Sequence, residues 1–557
     1  MKRVYIYYNK VCLLLVAVLM GTLMMSCERD NEVTPLPKET TEEKGETPTQ
    51  GEGEGEDELA KTLAAIPGIS NVTVQKSPQE SLGYYFDVEQ YIDHKNPNMG
   101  TFLQRCLLQY VGEDAPVMLY TNGYSLDDSL KNIGVHDIAS YLGASSLFVE
   151  HRYFGHSQPE PLNNINFTYL NADQAANDLH RVVTLMKQHF FTHGNKWVST
   201  GTSKCGINTT LYAYYSDQYG WDDIDLYVPF CAPFLMGSAQ SAGDKSLDTY
   251  LINVCGTGYP KGSVQDKAYQ YLRAYPSAIV NNKILRDACL RKYHQEDPNN
   301  YLRLLKNYPT ETEKAATVGV LCDFYAFLFD KFSYIDFNRW CAKVPNPTDF
   351  DTVDPSLDYR LVEIVEFIFA NNEKMEKMIK EDEESRSFGS RRSGYTVDEI
   401  LVQRVQDDGM AYEIQAFREL GAIFHNFSLV PADGFVTPEY CDQVSQTNVG
   451  LVANYSDVYK GQWDGGQLMS NVRKWVDTTK KRILFVYGSY DPWTGGAIDS
   501  TYPWPGDVEA VNPNNPNTTK VLVPGGTHND YILNETCYTP ETSKVIKQTL
   551  DKYIKGK

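Results

Sequence analysis

Several features that would fix a function are missing from this 557-residue chain. No Cys-x-x-Cys and no Cys/His pair has the spacing of a zinc site, although there are 11 cysteines. No repeat of fixed period marks a solenoid or propeller. Basic charge is short: 51 Lys and Arg face 72 Asp and Glu, a net charge of -21. That balance argues against nucleic acid as a partner, because phosphates require a basic face. The apolar run near the N-terminus, Val11 to Met25, has 15 residues, short of the roughly 20 that cross a bilayer. What remains is ordinary globular composition, 42% hydrophobic and 22% charged, in a chain too long for one simple core.

The N-terminus reads as an address and a tether. Residues 1–27 carry no acid, three bases (Lys2, Arg3, Lys10) and the apolar run, and they end in Met25-Ser26-Cys27. This resembles a lipoprotein signal peptide in which Cys27 is lipidated and becomes the new N-terminus, so Cys27 is the expected membrane attachment. The rival is a plain export signal with an incidental cysteine. Residues 28–60 follow as a disordered acidic tether. Between 28 and 58 there are 12 acids and 3 bases with almost nothing apolar to bury. The acidic start after Cys27 resembles surface-export tags of Gram-negative lipoproteins, so the expected location is the outer membrane or cell surface, with a periplasm-facing anchor as the other possibility. Beyond Cys12 and Cys27 nine cysteines remain, an odd number, so at least one carries a thiol; their pairing is not readable.

From about residue 68 short apolar or alternating runs bounded by turn residues predict strands: Asn71–Gln75, Tyr84–Tyr91, Phe102–Tyr110, Pro116–Thr121, Leu147–Val149, Trp197–Thr200 and Leu226–Phe230. Helical stretches at Val135–Leu142, Asn171–Phe190 and Thr209–Tyr219 separate the later ones. Such alternation implies a mainly parallel, right-handed α/β sheet. Between residues 265 and 460 the pattern is almost wholly helical, including Leu357–Lys380 and Thr396–Phe424, with a loop at Gly389–Gly394. Alternation returns at Arg482–Val486 and Thr519–Val523, with a last helix at Thr542–Ile554. The expected architecture is therefore an α/β core in two parts, 61–264 and 461–557, with a large inserted helical lid domain at 265–460.

The chemistry concentrates at the ends of three predicted strands. Gly201-Thr202-Ser203-Lys204-Cys205-Gly206 sits between a strand and a helix, as a nucleophile elbow does, with Cys205 where the usual Gly-x-Ser-x-Gly pattern has its second glycine. Asp491 follows the strand Arg482–Val486, and His528 follows Thr519–Val523. An acid and a histidine after two later strands repeat the chain order of α/β-hydrolase triads. Ser203 is thus the candidate nucleophile, His528 the general base and Asp491 its orienting acid. The oxyanion donors are expected from Lys204 N–H and from Gly123 or Tyr124. The Lys204 side chain reads as a surface or structural ion-pair partner rather than a base.

With those residues placed, Gln90-Tyr-Ile-Asp-His94, Gly100-Thr-Phe-Leu-Gln-Arg105, Glu150-His-Arg-Tyr-Phe-Gly-His-Ser157, Gln174-Ala-Ala-Asn-Asp178, the elbow, Asp491-Pro-Trp493 and Gly525-Gly-Thr-His528 resemble the successive motifs of secreted bacterial tripeptidyl (prolyl tri/tetrapeptidyl) aminopeptidases. They resemble more distantly prolyl carboxypeptidase and dipeptidyl peptidase II. The resemblance spans about residues 70 to 550. It implies a serine exopeptidase that releases short peptides from free N-termini, often after proline, with peptides as partners and no metal or organic cofactor. Glu150 and Glu419 are candidates to hold the substrate ammonium, against a structural reading in which Glu150 pairs with Arg152 or Arg105. Glu413, on the same lid stretch as Glu419, reads as structural. Tyr153, Phe154 and Trp493 are candidates to line a proline pocket. Two alternatives stand beside this: a Pro-specific dipeptidyl or carboxypeptidase or an esterase on the same fold, and a non-catalytic surface-binding lipoprotein, for which Cys205 is the argument.

Overall fold

The structure is a computed structural model that describes residues 57–77, 82–127, 136–161, 165, 167–235, 250, 259–296, 298–334, 340–370, 408–421, 425–445, 463–498, 509–511, 514–528 and 540–556. The signal segment, Cys27, the tether up to residue 56, Cys255, Cys537, the loop 389–394 and the predicted helical stretches 371–380 and 396–407 lie outside the described residues.

Ten strands form one sheet: β1 (Ile69–Lys76), β2 (Leu82–Tyr91), β3 (Thr101–Gln109), β4 (Val117–Thr121), β5 (Ser145–Val149), β6 (Trp197–Thr202), β7 (Leu226–Phe230), β8 (Ile483–Gly488), β9 (Glu509–Val511) and β10 (Thr518–Val523). Their order is β1-β2-β3-β5-β4-β6-β7-β8-β10-β9. β1, β2, β3 and β5 pair antiparallel, β5 through β10 in the sheet run parallel, and β9 closes the far edge antiparallel to β10. β5, β7 and β8 are buried at every residue, as expected of strands covered on both faces.

Alternation along each strand decides which layer it feeds. Leu119, Leu147, Val149 and Phe485 join one core with the helices α3 (Ala172–His189) and α4 (Lys204–Tyr219), which follow α1 (Glu58–Ala64) and α2 (Asp137–Leu142) in the chain. Met118, Phe148, Leu484 and Val486 face the other way, onto α2 and the last helix. The result is a three-layer α/β/α core, the α/β-hydrolase fold. Between its halves come α5 (Val264–Asn281), α6 (Lys283–Glu296), α7 (Pro298–Asn307), α8 (Thr312–Tyr334), α9 (Tyr359–Ile368) and α10 (Asp408–Gln415); α11 (Gln467–Trp475) and α12 (Pro540–Leu550) complete the set. α5 to α9 bury a core of their own around Tyr275, Phe324, Trp340 and Phe367. Ala416 and Leu420, after α10, instead pack into the sheet's core.

Two details of the sequence reading are corrected. Residues 57–60 are not tether: Asp57 caps α1, accepting from Leu59 and Ala60 N–H, and takes the Tyr84 hydroxyl at 2.9 Å. β9 is an additional strand, three residues long and without an alternating pattern. Among the described residues no helix is long and apolar enough to cross a membrane.

Candidate active site

β6, β7, β8 and β10 are parallel neighbours, so the residues that follow them emerge at one edge of the sheet, where open α/β sheets hold their sites. Ser203 follows β6, Cys231 follows β7, Asp491 follows β8 and His528 follows β10.

Ser203 adopts φ 58, ψ -123 between β6 and α4. A non-glycine residue at positive φ stores strain that only a well-determined turn sustains. Its N–H donates to Phe230 O at 2.9 Å, tying it to the end of β7, and its side chain makes no capping bond to the helix. The turn is closed by contact: a Cβ on Gly201 would lie 2.5 Å from the Cys205 carbonyl carbon, and one on Gly206 would lie 2.6 Å from Phe230 O. Position 205 has room for a side chain. Cys205 is buried, and its Sγ accepts the Gly123 N–H at 3.1 Å. The departure from the usual pattern is therefore accommodated, with the close approach moved one residue on to Gly206.

Asp491 and His528 are 0% and 2% exposed, and His528 Nδ1 lies 2.8 Å from Asp491 Oδ2. Asp491 Oδ1 accepts the Trp493 N–H at 3.0 Å, which fixes the carboxylate. The two loops are stitched together: Ser489 N–H donates to Val523 O, Tyr490 N–H to Gly526 O, and Gly525 N–H to Ser489 Oγ. From α8, Ser333 O accepts the His528 N–H at 2.6 Å, and Phe329 packs on Trp493 with ring centroids 5.8 Å apart. Trp493 in turn lies 5.9 Å from the His528 ring. The helical insertion thus reaches the site and covers one side of it.

The other predicted residues fall into place unevenly. The Gly123 N–H is engaged by Cys205, which leaves Lys204 and Tyr124 N–H as the oxyanion candidates. The Lys204 side chain is not at the surface. It is 1% exposed, donates from Nζ to Gly123 O, and lies 4.0, 5.1 and 5.7 Å from the ring centres of Phe154, Tyr124 and Tyr412. Aromatic faces and one carbonyl hold this cation beside the elbow. Glu150 is fully buried and its oxygens are occupied by Leu126 N–H, His156 N–H, Ser157 N–H and Ser157 Oγ. Burial pushes its pKa up to about 7, against these hydrogen bonds and the nearby Arg105 charge. It holds the loop 155–157 rather than presenting a carboxylate to a ligand. Arg152 forms a bidentate pair with Asp178 (2.6 and 2.7 Å) and also donates to Tyr91, Ile92 and Tyr169 carbonyls. The expected pairing of Glu150 with Arg152 is replaced by Asp178, a partner 26 residues on.

Glu419 is half-buried. Its Oε1 accepts the Ala172 N–H at the start of α3 and the Gln415 amide, and burial raises its pKa to about 7. Tyr153 and Phe154 are each 1% exposed within a small core that includes Phe167, Leu170 and Ile414, so they are packing residues and not an open pocket wall. Burial pushes the Tyr153 hydroxyl up. Cys231 carries no signal in the sequence beyond its place after the buried strand β7.

Residues 56–268 match the family PS-10 peptidase S37. A prolyl tri/tetrapeptidyl aminopeptidase of Streptomyces mobaraensis is 28% identical over 200 residues, 35% of this chain and 38% of that protein. The chain therefore aligns with well under half of that relative's length. Serine protease vicPb of Bipolaris victoriae (strain FI3) is 22% identical over 481 residues, 76% of this chain and 80% of that protein. The stretch matched to the family holds the Glu150–Ser157 block and the Ser203 turn, whereas Asp491 and His528 lie beyond it. Among solved structures, a putative hydrolase from Legionella pneumophila is 11% identical with a TM-score of 0.33, covering 89% of this chain and 94% of that one.

Proposed function

We propose that this chain, an S37-type sequence on an α/β-hydrolase fold, is a serine exopeptidase releasing tri- or tetrapeptides from free N-termini, with proline favoured at the cleaved position. The observation that carries this reading is the buried Asp491–His528 pair, 2.8 Å apart, on the sheet edge that also bears the strained Ser203. Ser203 Oγ attacks the scissile carbonyl while His528 Nε2 takes its proton. Asp491 holds the ring through Nδ1 and stabilises the imidazolium. The tetrahedral oxyanion is received by Lys204 N–H, the first donor of α4, with Tyr124 N–H as its partner; losing one such donor costs about 3 kcal/mol in the transition state. Collapse expels the amine with the proton from His528, and water then releases the acyl peptide by the same route.

The relatives support peptides as the substrate class, and the accommodation of Cys205 removes the main argument for a decayed, non-catalytic site. Turnover of Ala-Ala-Pro chromogenic amides with free and blocked N-termini tests the reading. Free substrates should be cleaved and blocked ones resist; equal cleavage of both would refute exopeptidase action. The N-terminal segment supports export and attachment through lipid on Cys27. Release of the Cys27→Ala protein from the membrane fraction is the expected outcome, and its retention there would contradict it.

A further inference from the structure

The loop after β7 brings a thiol to the base of the catalytic pair. Cys231 is 4% exposed, has φ 46, and is fixed by donation of its N–H to Val486 O at 2.8 Å. It is a thiol, not half of a disulfide. One ligand atom each from Cys231, Asp491 and His528 lie within 4.8 Å of one another, and all three residues are buried. These residues are 231, 491 and 528 in the chain, so no local spacing announces them. The relay from Ser203 to His528 to Asp491 has no step for a thiol. Sulfur, imidazole and carboxylate converging in a dry place are, however, the donor set of zinc and its thiophilic relatives.

We propose that Cys231, Asp491 and His528 form an inhibitory site for a thiophilic divalent cation such as zinc or cadmium. It rests on the reading of His528 as general base. A tetrahedral ion with bonds of about 2.0–2.3 Å holds its ligands roughly 3.5 Å apart, so the Asp491–His528 pair, now 2.8 Å apart, opens to admit the ion while Cys231, within 4.8 Å, supplies the third ligand. The ring nitrogen facing Asp491 is Nδ1, so the ion takes the place of the proton between them. Coordination at Nδ1 puts the single proton of the neutral ring on Nε2, the nitrogen that has to accept a proton from Ser203. The Cys231 thiol releases one proton to solvent on binding. Two positive charges then meet one thiolate and one carboxylate, and a neutral site is the form that burial tolerates.

The test uses the full chain. Calorimetric titration with Zn2+ and the ultraviolet thiolate-to-metal absorption of added Cd2+ should show one site in the wild type. In Cys231→Ser, Cys231→Ala and His528→Gln that site should weaken by about 100-fold, at least what loss of a supporting residue costs a metal centre. In the unaltered protein, Zn2+ should also slow alkylation of Cys231 by iodoacetamide, read by mass spectrometry, which needs no variant to fold. Peptide-amide hydrolysis by the wild type should fall with the same apparent constant and return with chelator. Equal Zn2+ binding by the wild type and both Cys231 variants, or alkylation of Cys231 unaffected by Zn2+, would overturn the site. If binding follows Cys231 but no peptide is hydrolysed, the metal site stands and the exopeptidase reading falls.

Discussion

Restoring glycine at position 205 should harm this protein, although it restores the familiar elbow pattern. The Cys205 Sγ accepts the Gly123 N–H at 3.1 Å in a buried setting. Cys205→Gly leaves that N–H without its partner, a loss of about 1–3 kcal/mol. Removing the buried side chain adds about 1 kcal/mol of lost burial, and glycine in the first turn of α4 adds roughly 0.5–1 kcal/mol of backbone entropy. With sulfur a weak acceptor, the expected total is about 3 kcal/mol, a sizeable part of a typical domain's 5–15 kcal/mol. Urea unfolding should show a lower midpoint with an unchanged slope. The loop bearing Tyr124 is released at the same time, so kcat should fall with stability. Cys205→Ser, whose hydroxyl still accepts from Gly123, should recover part of both. A glycine variant as stable as the wild type, or more active, would refute the argument that Gly206 and not position 205 carries the close approach.

Other outcomes follow from the same geometry. Gly206→Ala sets a Cβ 2.6 Å from Phe230 O, so the elbow has to open; activity should drop at least ten-fold, about 1.4 kcal/mol of barrier, while circular dichroism stays native. Asp491→Asn should lower kcat by about 10^4-fold through the wrong His528 tautomer, and a small loss in single-turnover kinetics would contradict the pairing. Lys204→Met removes the donor to Gly123 O while keeping the stem among the rings, so kcat should fall more than KM changes; the reverse split would place Lys204 in substrate binding. For Glu419, burial raises the folded pKa from 4.5 to about 7, so the folded state binds the extra proton and its advantage is lost as pH rises through that window. Glu419→Gln should therefore be near neutral in melting temperature at pH 5. It should be stabilising at pH 8, by up to about 3 kcal/mol. A variant effect that does not grow with pH would contradict the shift.

The strands were legible because their apolar runs are short, bounded by turn residues and buried on both faces; β5, β7 and β8 show this at every position. The candidate triad could be assembled from sequence because Ser203, Asp491 and His528 each follow a strand of one parallel set, β6, β8 and β10. Less was visible where a side chain's partner is chosen by tertiary packing. Arg152 takes Asp178 rather than Glu150, and Glu150 turns to the amides of its own loop. Lys204 looks like a surface lysine in sequence, yet the rings that enclose it come from positions 124, 154 and 412. Cys231 gave no motif because its neighbours lie 260 and more residues away. At α1 a capping acid was read as part of an acidic tail, since composition cannot separate Asp57 from the acids before it.

Treatment of the purified chain with a fluorophosphonate, followed by peptide mapping, tests the central claim most directly. The account predicts a single covalent adduct on Ser203, absent from Ser203→Ala and suppressed in Asp491→Asn. An unlabelled Ser203 in the folded protein after treatment, or an adduct on another serine accompanying loss of activity, would contradict it.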